Sequence, residues 1–432
     1  MSQGRARATL GRVSTSVAPP ELVHLSLVVG GDLVDGDGGR LGRVDDLIVR
    51  LDEEYPPVSG VVARVADRKV FVPASALREI AAGRVTVSAV RLDLQLFERR
   101  PQEVLLRKDV LDRQLINVDG ARLVRTNEIE LARLDGWYRV VGVDTGVRGL
   151  ARRLLPRRLA RSIGTGGFLD WSSVEPFTGH VPTVRLMISH PKLARLHPAQ
   201  VADLVEAASH HEGKEILAAL SEDREREADV FEELDAQHQT EFAEERSDAE
   251  LAELLARMEA DDAADLVNEL SEDRREPVLE LVPAVQRRRV RALLGYDAAT
   301  AGGLMSPDFV CVYSQATKAE ALDRLTRSRA SAEALTWLFV MNEYKRLTGA
   351  MHLVDLLRAE EGVQVGAIGG LPQRVQATAE LEEVARLMTD FDLTVVPVVD
   401  EQERMVGVVT VDDVLELVLP SGWRRRFGVL GE

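Results

Sequence analysis

Cysteine occurs once in these 432 residues, at Cys311, so no disulfide can close within the chain and a reducing compartment fits. Aromatic residues make up only 4% of the sequence, too few for a platform on which unpaired bases would stack. Basic residues are outnumbered, with 54 Lys and Arg against 71 Asp and Glu. The net charge of -17 repels phosphate, which argues against nucleic acid as a partner and favours cations as ligands. Long apolar runs are missing as well. The run 335–341 stops at Asn342 and Glu343, and the run 417–423 meets Arg424, Arg425 and Arg426. Neither approaches the roughly 20 residues of a membrane span. The first 24 residues contain arginines and small residues but no apolar core, and read as a disordered tail rather than a secretory signal. The expected location is cytoplasmic, either free or peripheral at a membrane.

Catalytic signatures are lacking too. There is no Walker A motif, nucleophile elbow or zinc spacing, so the chain is not expected to be an enzyme. His210 and His211 are adjacent on a helix and point apart. His190 and His197, beside prolines, read as turn and cap residues. Gly164-Thr-Gly-Gly167 has no following Lys and reads as a linker.

What is present is 45% hydrophobic residues, enough for several cores, and a length that suits about three domains of roughly 100–200 residues. Two regions, 25–98 and 103–155, read as short strands. LGRVDDLIVRL (41–51) and VSGVVARV (58–65) are rich in β-branched and aliphatic residues and bounded by Gly, Pro and Asp. Asp35-Gly36-Asp37-Gly38-Gly39 is a turn cluster of the hairpin kind. In the second region Asp109-Val-Leu-Asp112 echoes Asp32-Leu-Val-Asp35, Asp119-Gly120 supplies a turn, and WYRVVGV (137–143) a strand. Two small β-barrels, or one barrel of two halves, is the expected architecture. GRLGRVDDLIV (39–49) followed by RKVFVPASAL (68–77) resembles the PRC-barrel family. The expected divisions are a PRC-barrel-like unit over 25–100, a second β unit with a basic linker over 101–160, and a further linker over 161–190. The basic stretch RGLARRLLPRRLAR (148–161) is interrupted by Pro156. It is read as a linker docked on the protein's own acidic surface, with a membrane-surface helix as the alternative.

From 191 to 296 the pattern is helical: glycine is rare and apolar residues recur at helical spacing. QVADLVEAAS (200–209) matches DAADLVNELS (262–271), and Leu-Ser-Glu-Asp-Arg occurs twice, ending at Arg224 and Arg274. Ser221, Ser247 and Ser271 stand where helix N-caps are expected, and Ser247-Asp-Ala-Glu250 has capping-box spacing. Short helices of this kind bury their apolar stripes by stacking into a superhelix. The region 297–420 is duplicated, with Val340, Gly349 and Asp355 falling on Val398, Gly407 and Asp413. Each copy runs helix, apolar strand, turn, apolar strand, helix. The pair resembles the CBS module.

Closer resemblance appears at two places. YDAATAGGLMSP (296–307) resembles the junction between helical and CBS domains of MgtE magnesium channels, and LTVVPVVDEQERMVGVVTVDDVL (393–415) resembles the second CBS copy of that family. The resemblance covers roughly half of the chain. It implies a multidomain α+β protein with N-terminal β-barrels, an α-superhelical domain and a tandem CBS pair. It also implies Mg2+ as ligand, a small hard ion that takes carboxylates and water. By resemblance, Glu382, Asp392, Asp413 and Glu416 match acids that hold magnesium where CBS and helical domains meet, with Asp262 and Asp265 on the helical side. Asp413 and Glu416 share one helix face at i, i+3, while Val414, Leu415 and Val418 are expected to face the core. Acids at helix N-termini also suit the macrodipole with no metal at all. Where the channels carry further acids after the CBS pair, this sequence has Ser421, Gly422, Trp423 and three arginines.

Without a hydrophobic segment before Glu432, the expectation is a regulator standing apart from its pore. Its partners would be a second copy of itself through the CBS pair, and a separate membrane transporter or another protein. Adenine nucleotide, ATP or a relative, is the alternative ligand. CBS pairs that bind one place a hydroxyl residue three positions before an Asp. Thr410 and Asp413 satisfy this, whereas in the first copy His352 replaces the hydroxyl and only Asp355 remains. A purely structural adaptor is the third reading.

Overall fold

The computed structural model describes residues 22–88, 96–100, 102–155, 167–177, 192–328 and 330–419, with the side chains of Leu154 and Glu416 left out. His190, 164–166 of the Gly-rich loop, 156–161 of the basic stretch and the arginines at 424–426 lie outside the described residues. The chain divides into two compact units, 1–193 and 194–432.

The first unit is built of strands β1 (Val23–His24), β2 (Asp32–Val34), β3 (Arg40–Arg50), β4 (Val58–Val65), β5 (Arg68–Pro73), β6 (Leu77–Ala81), β7 (Arg84–Val87), β8 (Glu103–Leu105), β9 (Gln114–Asn117), β10 (Arg122–Arg125), β11 (Glu128–Leu134), β12 (Trp137–Asp144), β13 (Phe168–Asp170) and β14 (Val174–Pro176). The largest sheet has the order β5-β4-β3-β2-β7-β6, with β8 also on β3, and the others run β1-β11-β12-β13 and β10-β9-β14. The turn between β2 and β3 forms on the Asp-Gly cluster. Asp35 Oδ1 accepts from the backbone N–H of Asp37 at 3.0 Å and of Gly39 at 2.6 Å, and Gly38 takes φ +88°, open only to glycine without strain.

The two sequence regions share one core. Leu33, Leu47, Val61 and Val85 from the first pack with Leu106, Leu115, Ile129 and Val143 from the second. The echo of β2 at 109–112 does not form a strand: Leu106–Val110 makes a single π-helical turn. Buried Asp109 decides this, because its carboxylate accepts the Leu105 N–H at 2.7 Å and pairs with Arg99. The first half of the basic stretch lies in the helix Val147–Leu154, which docks through charge. Arg152 is fully buried with Glu130 at 3.4 Å, Glu128 at 3.6 Å and Asp144 at 3.9 Å, all three also buried, and Arg153 pairs with Asp112.

The second unit opens with eight described helices of eight residues or more, Pro198–Ala207, His210–Leu220, Arg224–Glu232, Ala236–Glu244, Asp248–Leu255, Ala260–Glu269, Glu272–Leu281 and Ala284–Leu293. Apolar stripes such as Leu251, Leu255, Leu266, Val267 and Val290 are fully buried between them. Ser247 caps its helix reciprocally with Glu250, as the spacing indicates. Ser271 stands at an N-cap position without a side-chain bond, and Ser221 is a C-cap instead. Asp223 takes the cap expected of Ser221, accepting from Arg226 N–H at 3.2 Å, because the helix there starts two residues later.

The junction that follows is close-packed. A Cβ on Gly302 would lie 2.5 Å from the Tyr296 ring and 2.8 Å from the Ala377 carbonyl oxygen. Beyond it come β15 (Cys311–Tyr313), β16 (Trp337–Met341), β17 (Leu347–His352), β18 (Val375–Gln376), β19 (Val395–Val399) and β20 (Met405–Thr410). They form two three-stranded sheets, β15-β16-β17 and β18-β19-β20. Each has one parallel and one antiparallel pair, and the duplicated residues share register, Val340 opposite Gly349 and Val398 opposite Gly407. Phe339 and Leu347 of one copy pack with Val395, Val399 and Val408 of the other. After β20 the last helix, Val411–Val418, corrects one expectation. Val414 is buried, but Leu415 is 47% and Val418 56% exposed. The side of this helix turned toward the core is narrower than the sequence pattern suggested.

Candidate functional site

Acidic side chains gather where the helical part of the second unit faces the paired three-stranded sheets. The floor of this cluster is the start of the helix Ala260–Glu269. Glu259 is the N-cap residue and makes no capping bond with its side chain, while Asp261 and Asp262 occupy the first turn. Acids there are favoured by the helix dipole. Glu232, the last residue of Arg224–Glu232, accepts the Glu259 backbone N–H through Oε1 at 2.6 Å. A carboxylate ledge therefore forms at the meeting of two helices.

Each acid of the ledge holds its proton unusually tightly. Burial pushes the Glu232 carboxyl up to about 8, reinforced by the charges of Glu259, Asp229 and Glu233. Glu259 is pushed up to about 7, first by loss of water and then by Asp413, Asp308, Asp412 and Glu333, all of the CBS side. Asp261 and Asp262 lie well above the usual carboxylate range for the same reasons, with Asp413 acting on both. Asp308, one of the acids acting on Glu259, is itself paired with Arg289 at 3.0 Å. Asp261 Oδ1 is sealed from water and has no hydrogen-bond partner. Such an orphaned acceptor carries a desolvation cost that a cation or a proton would remove.

Asp262 and Asp413 of the sequence-derived set thus come together. Asp265 lies one turn further along the same helix and is exposed. Glu382, in the first turn of Leu381–Phe391, and Asp392, its left-handed C-cap at φ +53°, are exposed. Neither is among the leading charges acting on Glu259, Asp261 or Asp262. The Glu416 side chain lies outside the description. Sequence reasoning missed Glu232, Glu259 and Asp261. The run Glu259-Ala-Asp-Asp262 at a helix start was the available signal for the last two; for Glu232 there was none beyond its place at a helix end.

Asp413 serves a second purpose. Its Oδ2 accepts from the Thr410 backbone N–H at 2.9 Å and from Thr410 Oγ1 at 2.7 Å, capping the last helix. In the first CBS copy His352 Nδ1 accepts from Val354 N–H at 3.2 Å in the equivalent cap, and Asp355 is exposed in the following turn. The oxygen-only donor set of the ledge suits a hard divalent ion that keeps some of its water. No described helix is long and apolar enough to cross a membrane.

The domains that carry these acids belong to a defined class. Residues 196–299 match the MgtE intracellular N domain, and residues 301–362 and 372–420 match the CBS domain, so the second unit is an MgtE-type N domain joined to a CBS pair. Among particular relatives, the magnesium transporter MgtE of Thermus thermophilus is 43% identical over 141 residues, 32% of this chain and 31% of that protein. The magnesium transporter MgtE of Bacillus subtilis is 32% identical over 168 residues, 38% of this chain and 37% of that protein. The chain thus spans about a third of the length of these curated relatives. The solved cytosolic domain of the Mg2+ channel MgtE in complex with ATP is 34% identical, covers 52% of this chain and 92% of its own, and superposes with a TM-score of 0.49. The homology relates this unit to the intracellular N domain and CBS domains of magnesium transporters.

Proposed function

We propose that the second unit is a magnesium-responsive regulatory module. Mg2+ would bridge the ledge of Glu232, Glu259, Asp261 and Asp262 to Asp413 at the start of the last CBS helix. The observation that carries this reading is Asp261 Oδ1, an acceptor without a donor among acids from both sides of the junction. Without the ion, the two acidic faces come together only at the cost of repulsion and of uptake of protons. With it, the charges are bridged and the compact state is favoured, a population shift driven by differential binding. Asp265, Glu382, Asp392 and Glu416 complete the proposed set as outer acids. A second copy through the CBS pair, and a membrane transporter or another protein, are the proposed readers of the compact state. The PRC-barrel-like reading of the first unit belongs to the same proposal, as an adaptor that would attach the module to its target.

The test is limited proteolysis and small-angle scattering of the full chain between zero and ~10 mM Mg2+. Added protection and a smaller radius, both lost in Asp261→Asn, are expected. An unchanged radius and cleavage pattern would sink the reading. A second reading is favoured by Thr410, buried at the head of the last helix beside Asp413, as a site for adenine nucleotide. It requires ATP binding that Thr410→Val removes while the magnesium response survives.

A further inference from the structure

The bond that builds the ledge recurs earlier in the helical run. There Glu206, at the end of Pro198–Ala207, accepts the backbone N–H of Asp235 through Oε1 at 2.8 Å, and Asp235 is the N-cap of Ala236–Glu244. This repeats the bond from the Glu259 N–H to Glu232. The third residue beyond each N-cap is Asp262 in the later ledge and His238 in the earlier one. At that position an imidazole stands where the later ledge has a carboxylate.

We propose that Glu206, Asp235 and His238 form a second metal site, suited to a divalent transition ion of the zinc class rather than to magnesium. One donor atom from each residue lies within 4.8 Å of the others. In a tetrahedral zinc site with bonds of about 2.0–2.2 Å, donor atoms stand roughly 3.3 Å apart, so small side-chain rotations close the set. The imidazole nitrogen shifts preference from hard magnesium toward zinc, cobalt or nickel. Outer groups hold the donors in place. The His238 ring stacks on Phe242 with centroids 6.4 Å apart, and the Asp235 N–H fixes Glu206. The competing account is a plain helix cap, in which His238 Nδ1 and Asp235 Oδ1 share a proton at 2.8 Å.

The role this assigns is a clamp between the helices Pro198–Ala207 and Ala236–Glu244. It is independent of the magnesium reading. The test is titration of the full, metal-stripped chain with Co2+, followed by visible absorption, and with Zn2+ by calorimetry. Expected are a tetrahedral cobalt band at one equivalent, displaced by Zn2+ and unaffected by millimolar Mg2+. Glu206→Gln, which keeps the acceptor for Asp235 N–H, and His238→Gln each weaken binding by at least about tenfold, judged against the cost of disturbing a metal shell. Circular dichroism checks that both variants are folded. Absence of binding, or binding that both variants retain, overturns the proposal. Asp261→Asn separates the two sites: it leaves cobalt binding intact and removes the magnesium response. Cobalt binding lost in Asp261→Asn would place the ion at the later ledge and overturn the assignment.

Discussion

Glu259→Gln isolates the energetics of the acidic junction. The substitution removes one charge and changes little else, because the Glu259 side chain makes no capping bond. An acid whose native pKa lies above its unfolded value keeps a proton that the unfolded chain has already released. Native stability therefore declines as pH rises between the two values, here from 4.5 to about 7. That span corresponds to roughly 3.4 kcal/mol at ~1.36 kcal/mol per unit. Glu259 is exposed enough for water to screen its neighbours, which reduces the effect to ~1 kcal/mol. Glu259→Gln should match the wild type near the unfolded pKa and exceed it by ~1 kcal/mol above neutral pH, or ~3 °C in Tm for a unit of this size. Magnesium at about ten times its Kd adds ~1.4 kcal/mol to the wild type through one site. In the variant this gain should fall by more than half, since part of the repulsion it relieves has gone. Thermal unfolding across pH, with and without Mg2+, reads both quantities. A variant less stable than wild type above neutral pH, or an undiminished magnesium shift, would refute the argument.

Two further outcomes follow from packing. Arg152→Met leaves Glu128, Glu130 and Asp144 buried without their cation, and should cost ~3–5 kcal/mol in the first unit. Hydrogen exchange in β11 and β12 measures it. The loss should shrink as pH falls and the acids protonate; a loss below ~1 kcal/mol at neutral pH would mean that the three acids are already neutral. Gly302→Ala forces a methyl group against Tyr296 and the Ala377 carbonyl, and should cost ~1–3 kcal/mol in urea unfolding of the second unit. A neutral result there would show that the junction yields to a methyl group.

The relation between sequence and structure differs from element to element. Val395–Val399 was legible because a β-branched run buried on both faces leaves no alternation to misread, and all five residues are buried. Ser247 was legible because capping is a local bond between residues three apart. Ser221 failed on the same rule, since a nearby Asp can take the cap and nothing local ranks the two. Leu415 and Val418 failed because apolar spacing gives a helix face and not the width of what covers it.

By itself the sequence determined the duplicated CBS register, the run of short helices and the excess of negative charge, since each rests on periodicity, local bonding or summed charge. Asp262 and Asp413 were named from the sequence, but which further acids gather with them was decided by tertiary structure. Glu232, Glu259 and Asp413 lie on three separate helices, and an acid's proton affinity depends on the water it loses and the charges it meets. The same holds for Arg152. Its stretch was legible as basic and docked, but its complete burial required three acids from β11 and β12, placed by strand pairing far from it in the chain.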